Sequence, residues 1–135
     1  MSGLVRIGLG LWAGLLVWLM VLVAPSLFAQ VPDRALAGAL AGSLFRWATW
    51  LSIGFGAALA AIARVPWRAR LLFPVPAALL LVNELLLRPA MRSARLADSE
   101  FAFWHGLATA IYFLATALVL VLWWRAERAT LRREE

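Results

Sequence analysis

The sequence predicts an all-α membrane protein, a four-transmembrane-helix bundle of up-down topology formed as one domain by residues 1–135. Three observations carry this expectation. The chain is 64% hydrophobic and only 15% charged, whereas a soluble domain averages roughly 45–50% apolar and about 25% charged. Its apolar residues fall into four runs, and its charged residues collect where those runs end. A soluble fold of this size has no interior large enough for so much apolar surface, and a bilayer removes the problem.

The composition also excludes several chemistries. With no cysteine, disulfides, thiolate metal sites and cysteine nucleophiles are ruled out. All 13 basic residues are arginine, so Schiff-base and lysine-nucleophile mechanisms are absent. The net charge of +6 raises the question of nucleic acid. However, the arginines flank apolar runs instead of forming one basic face, which predicts anchoring at membrane ends and no nucleic-acid partner.

The first run, residues 4–23, is broken only by Arg6. At about 1.5 Å per residue it spans about 30 Å, one hydrocarbon core. Arg6 and the apolar stretch also resemble the start of a signal peptide. The run is long for one, and the best cleavage point, after Ala29, has Leu27 where a small residue is preferred. A retained span is therefore expected, with Pro25 ending or bending its helix. Residues 30–33 form the first turn, and Asp33 suits a helix cap.

From Arg34 a single long helix is expected to about Ala63, with its span at residues 36–63. Its head is small and semi-polar (Ala35, Gly38, Ala39, Gly42, Ser43), and Arg46 then interrupts. The helix exceeds what a bilayer needs, so it tilts, protrudes or lies partly in the interface. Residues 64–70 read as a loop with three arginines. The third span, residues 71–87, carries Pro74 and Pro76 in its first turns, where a missing N–H costs least. A polar hairpin over residues 88–100 follows, with Asp98 or Ser99 as the next cap. The fourth span covers residues 102–124, and a charged, fraying helical tail ends the chain.

Four spans put both termini on one side. That side carries eight arginines (6, 64, 68, 70, 125, 128, 132, 133) and the other five (34, 46, 88, 92, 95), so the positive-inside rule predicts cytoplasmic termini. Trp47, Trp67, Trp104, Trp123 and Trp124 fall near run ends, as interfacial belts require.

The polar residues that need explanation lie between Asn83 and His105. Glu84 and Arg88 are four apart with Glu first, the favourable orientation for a helical ion pair. A carboxylate inside a span costs a few kcal/mol unless paired, so Glu84 is a functional candidate as well as an Arg-paired lock between helices. Connectivity brings Arg46, Asn83, Glu84, Arg88, Arg92 and the only histidine, His105, to one end of the bundle, where a polar cluster is expected. His105 reads first as a hydrogen-bonded interfacial residue and second as a haem or metal ligand. One histidine cannot make a bis-histidine haem site, so Met20 or Met91, or a dimer, would complete it. Zinc is poorly served by His105, Glu84 and Asp98. There is no nucleophile–base pair with a supporting third group, no P-loop and no dinucleotide fingerprint, so neither a catalytic residue nor a cofactor is expected.

Small residues recur four apart at Gly10 and Gly14, at Gly38 and Gly42, and along Ser52, Gly56 and Ala60. Such stripes let helix backbones approach closely. They predict packing within the bundle, with homo-oligomerisation as the alternative.

Trp12 and Gly14, Ala24, Pro25, Leu27 and Phe28, Ala37, Gly38 and Phe45, Asn83, Pro89, Met91 and Arg92, and Phe101, His105 and Gly106 form an ordered set over most of the chain. Together they resemble the bacterial members of the transmembrane-protein-205-like family, a domain of unknown function. The resemblance implies four transmembrane helices and no established activity, and the whole reading points to a bacterial inner-membrane location. Members often follow the histidine turn with a serine and later an asparagine, where this chain has Ala108 and Tyr112. A looser likeness links the chain to membrane-bound bacterial protoporphyrinogen oxidases and copper-resistance D proteins, which are similar in their small four-helix units and Trp-x-Gly start. Those families use a histidine early in the first helix, where this chain reads Ile7-Gly8-Leu9-Gly10.

Three functional expectations follow. The first is a non-enzymatic membrane protein with a structural, accessory or small-solute handling role. The second is a haem- or copper-associated redox protein using His105. The third is an oligomeric transporter or channel with Glu84 as its ion- or proton-responsive group.

Overall fold

The computed structural model describes residues 3–96 and 100–131. Four long helices cross one another up and down, and no strand occurs among the described residues. The first is Gly3–Gln30 and the second Arg34–Ile62. A single turn, Trp67–Arg70, leads into the third, which runs through Pro74–Val82, Asn83–Leu87 and Arg88–Leu96. The fourth is Phe101–Leu131. The first helix packs on the second and fourth, and the third packs on the same two, so the bundle is a closed ring in chain order.

Local chemistry sets the helix starts. The Asp33 carboxylate accepts hydrogen bonds from the backbone N–H of Ala35 at 2.8 Å and of Leu36 at 3.2 Å, satisfying two donors that the first turn leaves open. Pro74 opens the third helix, where its fixed φ is already helical. The second helix is a single one, as expected, and runs through Arg46 to Ile62. The expected caps Asp98 and Ser99 lie outside the described residues. Glu100, at φ 49°, precedes the fourth helix in a left-handed conformation.

The prolines produce the main departures from expectation. Of the two outcomes expected at Pro25, ending the helix is excluded, since the first helix continues to Gln30. The expected polar hairpin after Leu87 is helical to Leu96 despite Pro89. Both follow from one device. A wide π-type turn, Leu19–Val23, precedes Ala24-Pro25, and the N–H of Ala24 reaches back to the carbonyl of Leu19. A second, Asn83–Leu87, precedes Arg88-Pro89, and the N–H of Arg88 reaches back to Asn83. Proline in an ordinary helix lacks a donor and drives its ring into the carbonyl four residues earlier. Widening the turn just before it shifts that carbonyl register, so the helix passes the proline instead of stopping.

The half of the bundle nearest the termini is tightly packed. Val5, Leu9, Trp12 and Leu16 of the first helix have no exposed surface. They meet Ser52 and Leu59, Phe73 and Leu80, and Ala115 and Val119, all buried. Lipid tails are as apolar as leucine, so burial itself does little to join these helices; close packing and interhelical hydrogen bonds do. The Trp12 indole donates to Ser52 Oγ at 2.8 Å, fully buried, and its ring lies parallel to Phe55 at 6.0 Å. At the open end of this half, the Arg6 guanidinium pairs with Glu127 at 2.9 Å, joining the first and fourth helices. The outward faces are apolar: Leu4, Ile7, Leu11, Leu86 and Phe103 are each more than 60% exposed. In water such a surface would aggregate; against lipid it is the expected exterior.

The glycines sort by position. A Cβ on Gly56 would lie 3.2 Å from the Phe73 carbonyl and 3.3 Å from Pro74 Cα, so this glycine sets the approach of the second and third helices. One on Gly10 would meet the Trp123 indole nitrogen at 3.2 Å. Gly14, the other half of that pair, faces nothing within 4 Å; Gly10 and Gly14 do not form one packed stripe. Gly38 is only in ordinary contact with Phe28.

Gly56→Ala is therefore expected to destabilise the bundle by about 1–3 kcal/mol through overpacking against backbone. Gly14→Ala should be neutral or stabilising by up to about 1 kcal/mol, through helix propensity alone. Thermal unfolding of the two variants in one detergent checks the contrast, and equal losses would contradict it.

Candidate functional site

At the other end of the bundle the packing opens. From Met20 onward the first helix has no buried residue. Beyond its wide turn it stays on the second helix, while its extensive packing on the fourth belongs to the stretch before that turn. The result is a cavity of about 150 Å³ to which all four helices contribute. Met20 comes from the first and Phe45 and Thr49 from the second; Asn83, Glu84 and Arg88 come from the third, and His105, Thr109 and Tyr112 from the fourth.

Glu84 is its electrostatic centre. Arg88 donates through Nη1 to both carboxylate oxygens, at 2.6 and 2.8 Å. Arg46, one helix away, donates through Nε to Oε1 at 2.9 Å. The side chains of Glu84 and Arg88 are 14% and 19% exposed, that of Arg46 47%. Charge-assisted bonds of this kind are roughly twice as strong as neutral ones, which offsets the cost of holding a carboxylate at this depth. Gly42 leaves room for this arrangement. A Cβ there would collide with the Arg88 guanidinium, so the missing side chain on the second helix is what lets Arg88 lie against it.

The neutral polar groups are tied to backbone. Asn83 Nδ2 donates to the Ala108 carbonyl at 3.1 Å, joining the third and fourth helices at the wide turn. Thr49 donates to the Phe45 carbonyl at 3.0 Å and Thr109 to that of His105 at 2.8 Å. Each threonine oxygen keeps lone pairs for a ligand. His105 is exposed and stacks on Phe101 at 5.7 Å. Tyr112 is buried, edge-on to Phe45 at 4.8 Å. Its hydroxyl is buried and has no hydrogen-bond partner among the described residues, a feature that in a folded protein calls for an explanation.

The expected polar cluster thus divides. Asn83, Glu84, Arg88 and His105 share the cavity. Arg92 lies outside it, in a second recess of about 310 Å³ with Arg46, Pro89 and Ser93. Glu84 and Arg88 belong to both and stand between them. Sequence reasoning missed Thr49, the role of Gly42, and Tyr112, which it noted only as a departure from the resembled family. Tyr112 is two turns from His105, and that spacing on one helix face was the available signal. Among the described residues no group of three or more His, Cys, Asp or Glu side chains comes together to hold a metal ion.

Chemically, the cavity offers donors and acceptors of mixed kind above an apolar floor, with one paired carboxylate. It suits binding and orienting a small polar or amphiphilic molecule. Among known proteins, a family model described as a domain of unknown function (DUF4149) matches residues 7–100. No curated protein and no solved structure matches the chain. The matched segment spans the first three helices, so the fourth-helix wall of the cavity lies beyond it.

Because Glu84 holds two guanidiniums, Glu84→Gln is expected to cost about 3 kcal/mol by leaving charges unpaired in a buried setting. Arg46→Gln removes only the more exposed partner and should cost under about 1 kcal/mol. Thermal unfolding in detergent ranks the two; equal effects would remove Glu84 from the centre of the cluster.

Proposed function

The chain belongs to the DUF4149 family, a domain of unknown function, and from that premise we propose that it is a non-enzymatic membrane protein that handles a small solute in the cavity between its helices. One observation carries the reading: the cavity of about 150 Å³ receives polar side chains from three helices while the opposite half of the bundle is packed shut. A volume of about 150 Å³ is that of a site that takes up benzene. The hydroxyls of Thr49, Thr109 and Tyr112 and the Asn83 amide would orient a polar group on a ligand of that size. The affinity with the transmembrane-protein-205-like family belongs to this proposal. So does a bacterial inner-membrane location with cytoplasmic termini, for which the arginine distribution is the support. In that orientation the cavity lies at the outward end.

A second reading has its own observation. Met20, Met91 and His105 line the same cavity, and thioether with imidazole is a soft donor set suited to Cu(I) or to a haem axial pair. A Soret or charge-transfer band in the purified protein, lost in His105→Ala, would favour this reading over the first.

The solute reading is tested with 4-fluorophenol, a benzene-sized probe with one hydroxyl, followed by ¹⁹F NMR on the detergent-purified chain. Saturable binding is expected, abolished by Ala108→Leu, which fills the cavity from the fourth helix while helical circular dichroism is retained. Non-saturable partitioning, equal in both proteins, would overturn it.

A further inference from the structure

The second recess is separate from the solute cavity and has a different character. It holds about 310 Å³ and is lined by Arg46, Glu84, Arg88, Pro89, Arg92 and Ser93. Among the described residues that line it, three guanidiniums face a single carboxylate, a net charge of +2. Arg88 is committed to Glu84 through Nη1. Arg46 reaches Glu84 through Nε, and its two terminal nitrogens stand outside that hydrogen bond. Arg92 is exposed and makes no hydrogen bond or ion pair among the described residues. Arg88 and Arg92 are four apart, so they share one face of the third helix. The next arginine, Arg95, is not part of the recess; its guanidinium lies over the Phe101 ring at 5.8 Å.

Clustered guanidiniums recognise oxyanions through paired N–H donors, and do so better than point charges. The charge discriminates among oxyanions. A carboxylate or a phosphodiester carries one negative charge and would leave the recess positive. A phosphomonoester carries about −1.5 to −2 at pH 7, which matches that net charge. We propose that Arg46, Arg92 and Ser93, standing over the Glu84–Arg88 pair, form a binding site for a phosphomonoester group. Arg46 and Arg92 supply the donors and Ser93 a hydroxyl. Glu84 fixes Arg46 and Arg88 in place and sets the residual charge that the ligand must match. The group can arrive on a lipid, as a phosphatidic-acid headgroup, or on a soluble molecule. The site uses no side chain found only in the solute cavity, so either assignment can fail without the other.

The test uses the full chain purified in a neutral detergent. One arm titrates inorganic phosphate by calorimetry. The other adds phosphatidic acid or phosphatidylglycerol to mixed micelles and follows tryptophan fluorescence and thermal stability. Binding in the first arm identifies a soluble source, and binding of phosphatidic acid alone a lipid source; both support the site. Arg92→Gln, which removes no hydrogen bond or ion pair among the described residues, should weaken binding about tenfold or more by removing charged hydrogen bonds, while Arg95→Gln should leave it within about twofold, its long-range effect being screened. Absence of binding in both arms, equal response to phosphatidic acid and phosphatidylglycerol, or equal losses in the two variants would overturn the proposal.

Discussion

A carboxylate near the middle of the third helix constrains much of this bundle. Glu84 cannot be left unpaired at that depth, and no position on its own helix supplies more than one guanidinium at hydrogen-bond range. Arg88 supplies that one from four residues on, and Arg46 must come from the neighbouring helix. Bringing both to one carboxylate requires room: Gly42 gives up its side chain to Arg88, and the first helix withdraws toward the second. The polar end is therefore an open end. The opposite half, where the Trp12 indole donates to the buried Ser52 hydroxyl, has no such demand and packs with small residues to contact distance.

The two wide turns belong to the same arrangement. Each precedes a proline that would otherwise stop or kink its helix, and each borders the open half: Leu19–Val23 carries Met20, and Asn83–Leu87 carries Asn83 and Glu84. Turns of this type leave carbonyls less regularly bonded and rotate the side chains that follow. Asn83 uses that freedom to reach a carbonyl of the fourth helix. The prolines thus help aim the side chains of the site as well as shape the backbone.

Much of this was legible in the residues. Apolar runs bounded by arginine give four membrane helices, because lipid allows few other solutions. Asp33 before Arg34 marks a cap, and Glu84 four before Arg88 marks an ion pair, since both depend only on local spacing. The path of the chain through Pro25 and Pro89 was not legible. A proline in a sequence signals a broken helix, and whether a wider turn absorbs it is decided by packing on neighbouring helices. Gly14 and Gly10 look alike in sequence, yet only Gly10 meets another helix, because helix rotation is a tertiary property. Tyr112 and Thr49 were missed for a related reason. Each is an ordinary residue in an apolar run, and only the ring order of the helices turns them toward one cavity. Arg92 fell into the neighbouring recess because residues 88–96 continue as helix instead of folding into a hairpin.

The bundle is asymmetric: one half is packed shut and the other holds a cavity. A chain without cysteine is suited to measuring this directly. Ala108 and Ala115 lie two turns apart on one face of the fourth helix, the first at the cavity and the second fully buried. A thiol reacts as its thiolate and so needs water and access. In single-cysteine variants treated with a water-soluble methanethiosulfonate reagent, rapid modification of Ala108→Cys and none of Ala115→Cys is expected. Equal rates at the two positions, or protection of both, would contradict it.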